Sequence, residues 1–240
     1  MLEIGPGPGG LTRALLAGGA GRVIAVERDA RCIAALAELV DAAPGRLEVI
    51  EADALEVDVA QLAAERLVAV ANLPYNVGTP LLLQWLDRME LFERLVLMFQ
   101  REVAARLAAA PGSPAYGRLS VIVQWLCEVR IALHLPGRAF VPPPRVASSL
   151  VQLTPRPRPL APADKPILEC VLAAAFGQRR KMLRVSLKSL TDGPMTLLEA
   201  AGVPPTARAE DIDVEGFCRL ARSHSAQQAG ERIRRSSGTD

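Results

Sequence analysis

Asn72-Leu73-Pro74-Tyr75 follows the apolar run Leu67-Val68-Ala69-Val70-Ala71, which reads as a buried strand. The tetrapeptide puts a side-chain amide, a backbone carbonyl and an aromatic ring at the carboxyl edge of a sheet, where open α/β sheets bind ligands. Pro74 lacks an N–H and has a fixed φ, so the chain leaves sheet pairing there. Such a group can hold a planar ring bearing an exocyclic amine. The ring stacks on Tyr75, while the amine donates to Asn72 Oδ1 and to the Leu73 carbonyl. The same four residues also suit an ordinary turn leaving a strand, so the rest of the chain has to decide.

Gly5-Pro6-Gly7-Pro8-Gly9-Gly10 fits the G-x-G-x-x-G pattern of a strand–helix turn that lets backbone approach a ligand. Glu27 ends the next apolar run, where an acid accepts ribose hydroxyls. Asp53 ends the third, placed either to accept from an adenine amine or to cap a turn. A nicotinamide dehydrogenase would share the glycines and Glu27. Against it, Glu3 would add negative charge beside a pyrophosphate, and the chain offers no plausible hydride-transfer acid.

The elements that must position these residues alternate. Strands are expected at 2–4, 22–27, 47–50, 67–71 and 95–99, with helices at 11–17, 30–40, 59–64 and 80–89 between them. This order predicts an α/β fold with a doubly wound, mostly parallel sheet. Helices at 101–109 and 118–125 follow, then two further strands at 129–133 and 149–153, expected as an antiparallel pair at the sheet edge. Alternating prolines from Pro155 to Pro162 form a linker. Helices at 166–176, 179–190, 195–201 and 214–223 make a small C-terminal helical domain. The expected division is 1–154, 163–223 and a disordered tail from 224 to 240.

Half the residues are hydrophobic and 22% are charged, the profile of a soluble globular chain, and no run is long enough to span a membrane. Cys32, Cys127, Cys170 and Cys218 are scattered without a C-x-x-C pair, which argues against a metal site or a disulfide framework. The only histidines are His134 and His224. No metal is expected, and the compartment is expected to be the cytoplasm. Net charge is +2, yet from Arg138 to Leu190 ten basic residues face two acids. That excess suits a polyanionic partner and is equally compatible with a solvated face and a basic linker.

Glu3-Ile4-Gly5-Pro6-Gly7, Glu27, Asp53 and Asn72-Leu73-Pro74-Tyr75, in this order and spacing, resemble class I S-adenosylmethionine-dependent methyltransferases acting on exocyclic amines. More narrowly the chain looks like the ribosomal RNA adenine N6,N6-dimethyltransferases of the small subunit. Phe99-Gln100-Arg101-Glu102-Val103, Tyr116-Gly117-Arg118-Leu119-Ser120, the loop from Phe140 to Val146 and Gln178-Arg179-Arg180-Lys181-Met182-Leu183-Arg184 extend the likeness to about Leu220. The resemblance implies a Rossmann-like methyltransferase domain and S-adenosylmethionine as cofactor, held by Glu3, Gly5, Gly7, Glu27, Asp53, Ala54 and Asn72. It implies Asn72, Leu73, Pro74, Tyr75 and Phe140 around the reacting adenine. Arg179, Arg180, Lys181, Arg184 and Lys188 would contact RNA, and the partner would be ribosomal RNA in a small-subunit precursor, bound by a monomer.

Erythromycin-resistance methylases of 23S rRNA share the fold and the chemistry, and a non-catalytic ribosome-assembly factor on the same scaffold is the alternative from another class. The family usually opens with a basic segment and a Gln-Asn/His-Phe-Leu motif that this sequence lacks, along with most of the first strand. A misassigned start is the expected reason. Ala147 stands where the family commonly has Asp.

Overall fold

The computed structural model describes residues 1–62, 65–73, 75–140 and 146–236, with only the backbone described at 75, 76 and 231–236. Two compact units emerge: Met1–Ala104 with Glu128–Pro155, and Ala105–Cys127 with Arg156–Asp240.

In the first unit, β1 (Leu2–Ile4), β2 (Val23–Glu27), β3 (Leu47–Glu51), β4 (Leu67–Ala71) and β5 (Phe92–Gln100) alternate with α1 (Gly10–Ala17), α2 (Ala30–Ala42), α3 (Val59–Leu62) and α4 (Tyr75–Trp85). α5 (Arg101–Leu107) leads out of the unit, and β6 (Cys127–Leu135) and β7 (Ser148–Pro155) return to it. Among the described residues these strands form one sheet in the order β3-β2-β1-β4-β5-β7-β6. β1 to β5 run parallel, and β7 is antiparallel to β5. β2 and β4 are covered on both faces, which is why Val23 to Val26 and Leu67 to Ala71 are continuous apolar runs. Val23 and Ala25 are fully buried, and they join Leu16, Leu36, Leu39 and Leu47 in a cluster under α1 and α2.

The topology fixes where a ligand can go. The chain builds outward from β1 to β3, then crosses back to place β4 on the other side of β1. The order reverses between β1 and β4, and the crevice beyond their carboxyl ends is where such sheets bind ligands. Ile4 is in register with Ala71, so Gly5 and Asn72 leave the sheet side by side.

The second unit is helical: α6 (Arg118–Leu126), α7 (Lys165–Gly177), α8 (Leu183–Ser186), α9 (Pro194–Ala200) and α10 (Val214–Ser236). Its aromatic centre packs Tyr116 edge-on against Phe176 at 6.2 Å, and Phe176 at a tilt against Phe217 at 5.5 Å, between ring centroids. α7 starts where the sequence signals it: Asp164 Oδ1 accepts the Ile167 N–H at 3.1 Å, and Pro166 occupies the first turn.

Four expectations need correction. α4 begins at Tyr75 rather than Pro80, so Pro80 lies inside the helix, and Leu86–Leu91 form a 3-10 segment. The expected helix over 179–190 is instead a turn, the four-residue α8 and a 3-10 turn at Leu187–Ser189. Met182 is drawn into an antiparallel bridge with Arg208, and the Leu183 N–H bonds the Ala207 carbonyl at 2.8 Å, which removes those groups from a helical ladder. Residues 105–127 cluster with the C-terminal helices rather than with the sheet. The helix assigned to 214–223 continues as α10 to Ser236, where a disordered tail was expected from 224. His224 is still buried, and the residues that follow contain no Pro.

Candidate active site

Beyond β1 and β4 the first unit opens a cleft of about 290 Å³. Four strand ends line it: Gly5 and Gly7 after β1, Glu27 and Arg28 at β2, Asp53 and Ala54 after β3, and Asn72 and Leu73 after β4. Residues scattered over almost seventy positions of sequence thus meet at one edge.

Glu27 is the best-organised acceptor. Its Oε1 takes the backbone N–H groups of Arg28 at 2.8 Å and Asp29 at 3.0 Å, and its Oε2 takes that of Gly7 at 3.0 Å. The carboxylate is therefore held in place before any ligand arrives. Gly5 and Gly7 have φ of +65° and +55°, a conformation that side chains other than glycine strain to adopt. A Cβ on Gly7 would project into open space, so the turn presents bare backbone to the cleft. A Cβ on Gly5 would meet Leu73 Cδ2 at 4.0 Å, so the turn after β1 lies against the start of the Asn72 tetrapeptide.

Asp53 Oδ1 accepts the Leu55 N–H at 3.0 Å, and its Oδ2 accepts from Arg28 Nη1 at 3.0 Å. The Leu55 N–H above all, and then the Arg28 guanidinium, hold this carboxyl below the usual carboxylate range. It is charged at neutral pH.

Glu3 is 1% exposed in the middle of β1, and neither carboxylate oxygen has a hydrogen-bond partner among the described residues. Burial raises its pKa. A buried acid left this way is a costly arrangement, and it is eased by a cation nearby. Glu3 is not among the residues lining the cleft, although its neighbours Ile4 and Gly5 are.

Together these groups are acceptors: two ordered carboxylates, a third buried behind them, and the Asn72 amide. They match a ligand that brings hydroxyls, an amine and positive charge, and they oppose a phosphate. S-adenosylmethionine meets that description. The acceptors and the exposed backbone of the glycine turn fit it.

The remaining expected site residues fall differently. Pro74 lies outside the described residues, and Tyr75 opens α4 with its side chain outside them. Phe140 is half-buried just after a 3-10 turn at Gly137–Ala139, and it is not among the described residues lining the cleft. Cys127 is pushed up to about 12 and Cys218 to about 11 by burial, so both remain neutral thiols. No cysteine is in a disulfide, and no cluster that could hold a metal occurs among the described residues.

In the second unit the basic residues sort into two sets. Arg179 Nε donates to Glu210 Oε2 at 2.8 Å, and its Nη2 donates to the Pro114 carbonyl at 2.8 Å, so it ties two distant segments together. Arg156 Nε donates to the Gln124 carbonyl at the end of α6, and Lys165 pairs with Glu169 along α7 at 3.8 Å. Arg180, Lys181, Arg184 and Lys188 are exposed and form no ion pair among the described residues. The bridge at Met182 adds the exposed Arg208 to them. Sequence reasoning missed Arg208 because it stands 27 positions beyond Lys181. It also missed Arg28, whose only signal is its place directly after Glu27.

A family model for ribosomal RNA adenine dimethylase matches residues 1–225. The chain is 62% identical over 226 residues to the ribosomal RNA small subunit methyltransferase A of Rhodospirillum rubrum, covering 94% of this chain and 78% of that one. It is 62% identical over 227 residues to the protein of the same name from Paramagnetospirillum magneticum, covering 95% and 80%. Among solved structures, a dimethyladenosine transferase from Plasmodium falciparum superposes with a TM-score of 0.78 at 27% identity, over 95% of this chain and 90% of that one. The 23S rRNA methyltransferase ErmE superposes with a TM-score of 0.70 at 26% identity, over 93% and 90%. With that match across nearly its whole length, the chain belongs to the ribosomal RNA adenine dimethylase family.

Proposed function

We propose that this chain transfers methyl groups from S-adenosylmethionine to N6 of adenines in small-subunit ribosomal RNA, giving N6,N6-dimethyladenosine. The observation that carries the reading is the meeting of Asn72 and Leu73 with Glu27 and Asp53 in one cleft. When bound, S-adenosylmethionine supplies an electrophilic methyl group. Glu27 accepts ribose hydroxyls, and Asp53 accepts the amine of the cofactor's adenine. Gly5 and Gly7 let backbone close on the ligand, and Glu3 supplies the buried negative charge that a sulfonium favours.

Adenine N6 is a weak nucleophile because its lone pair is delocalised into the ring. Asn72 Oδ1 and the Leu73 carbonyl accept hydrogen bonds from its two N–H groups in the first transfer, and one of them from the remaining N–H in the second, drawing the nitrogen toward tetrahedral geometry and localising the lone pair. After each transfer N6 gives up one proton to water. Positioning and fixed dipoles then supply most of the rate. By the family resemblance, Tyr75 and Phe140 would stack on the two faces of an adenine flipped out of the RNA. No side chain has to remove a proton before the methyl group moves, which suits a site without histidine.

Arg180, Lys181, Arg184, Lys188 and Arg208 contact phosphates of a folded RNA and read its shape. Arg179 serves this surface from beneath by holding Glu210 and the Pro114 carbonyl. We read the partner as a small-subunit precursor bound by a cytoplasmic monomer. The small-subunit name of relatives at 62% identity supports this choice over the 23S reading.

The test supplies isotopically labelled methyl donor to the chain with unmethylated small subunits or with 23S rRNA. The expected product is labelled N6,N6-dimethyladenine in small-subunit RNA alone. Label in 23S rRNA favours the erythromycin-resistance type of enzyme, and binding without transfer favours an assembly factor.

A further inference from the structure

Both oxygens of Asp53 already have donors: Leu55 N–H on Oδ1 and Arg28 Nη1 on Oδ2, each at 3.0 Å. The first is local backbone, two residues along the chain, and holds the carboxylate in its turn. The second comes from the end of a neighbouring strand, on a side chain that is 72% exposed and lines the same cleft. Arg28 also has somewhere to go. Its backbone is tethered by Glu27, but no other side-chain bond holds its guanidinium among the described residues.

We propose that Arg28 is a latch on the adenine end of the cofactor cleft, competing with the ligand's amine for Asp53 Oδ2. This rests on the reading of Asp53 as the acceptor of that amine. The cleft presents Asp53 with a donor already in place, and a ligand amine that takes the position of Arg28 Nη1 on Oδ2 turns the guanidinium out into solvent. Exposure keeps the cost small, because an exposed ion pair is a weak contact. The latch therefore tunes affinity without abolishing binding. It also affects selectivity. A ligand with a carbonyl in place of the amine meets a donor in Arg28, so the latch narrows the preference for adenine over hypoxanthine.

The experiment measures binding by calorimetry, without turnover, of S-adenosylhomocysteine and its hypoxanthine counterpart to the full chain and to Arg28→Leu. The substitution is expected to tighten S-adenosylhomocysteine about two- to five-fold, the range of one exposed ion pair, and to leave the hypoxanthine ligand unchanged or weaker. Equal effects on both ligands, or no tightening of S-adenosylhomocysteine, overturn the latch. An Asp53→Ala variant run beside them separates the two claims. If it binds S-adenosylhomocysteine as tightly as the unaltered chain, the reading of Asp53 fails, and the latch fails with it. If it binds weakly while Arg28→Leu is unchanged, the latch alone fails.

Discussion

The Glu27 carboxylate accepts the backbone N–H of Gly7 at 3.0 Å, joining the end of β2 to the glycine turn that follows β1. One side chain thus orders the turn and lines the cleft beside it. Glu27→Ala is expected to weaken S-adenosylhomocysteine binding about ten- to a hundred-fold, the range for losing hydrogen bonds to a charged acceptor. Glu27→Gln should recover part of this, since its amide oxygen can still accept. Calorimetry on the three proteins checks both.

Glu3 predicts a pH dependence. Burial raises its pKa in the folded chain above the ordinary 4.5, so the folded state holds a proton that the unfolded state releases. Its favourable contribution is complete below that ordinary value and is lost as pH rises through the raised one. Glu3→Gln should therefore raise Tm at neutral pH, with the gain vanishing in acid. The same variant should bind S-adenosylmethionine more weakly, because the cation loses its buried counter-charge. A Tm difference independent of pH contradicts the assignment.

Arg179 separates from its basic neighbours. Arg179→Ala removes the ties to Glu210 and Pro114 and should cost roughly 1–3 kcal/mol of stability for the charged hydrogen bonds lost, seen as a lower Tm. Replacing Arg180, Lys181, Arg184 and Lys188 together by Gln should leave Tm within a degree or two. It should also weaken RNA binding and flatten its salt dependence, because each phosphate contact adds to the slope. Equilibrium binding at several salt concentrations, with thermal melts of both variants, distinguishes the two roles.

The residues legible in sequence are those whose environment is set by near neighbours. β2 and β4 announce themselves because both faces are buried, so Val23 to Val26 and Leu67 to Ala71 are unbroken apolar runs. Glu27, Asp53 and Asn72 stand where such runs end, and a doubly wound order carries those ends to one edge. α4 was misplaced because Pro80 has the look of a helix start, while the helix begins at Tyr75, behind Pro74. The role of Arg179 was hidden because Glu210 lies 31 residues away. Nothing local marks 105–127 as part of the helical unit. Tyr116 belongs there through its edge-to-face contact with Phe176.

Asn72→Ala removes the side-chain acceptor on which methyl transfer to N6 depends. In the full chain, S-adenosylhomocysteine affinity by calorimetry and single-turnover methylation of unmethylated small subunits are measured side by side. The expected methyl-transfer rate is reduced at least a hundred-fold, on the scale of one lost preorganised acceptor, with a much smaller loss of ligand affinity. Transfer at a near-normal rate in that variant would contradict that dependence.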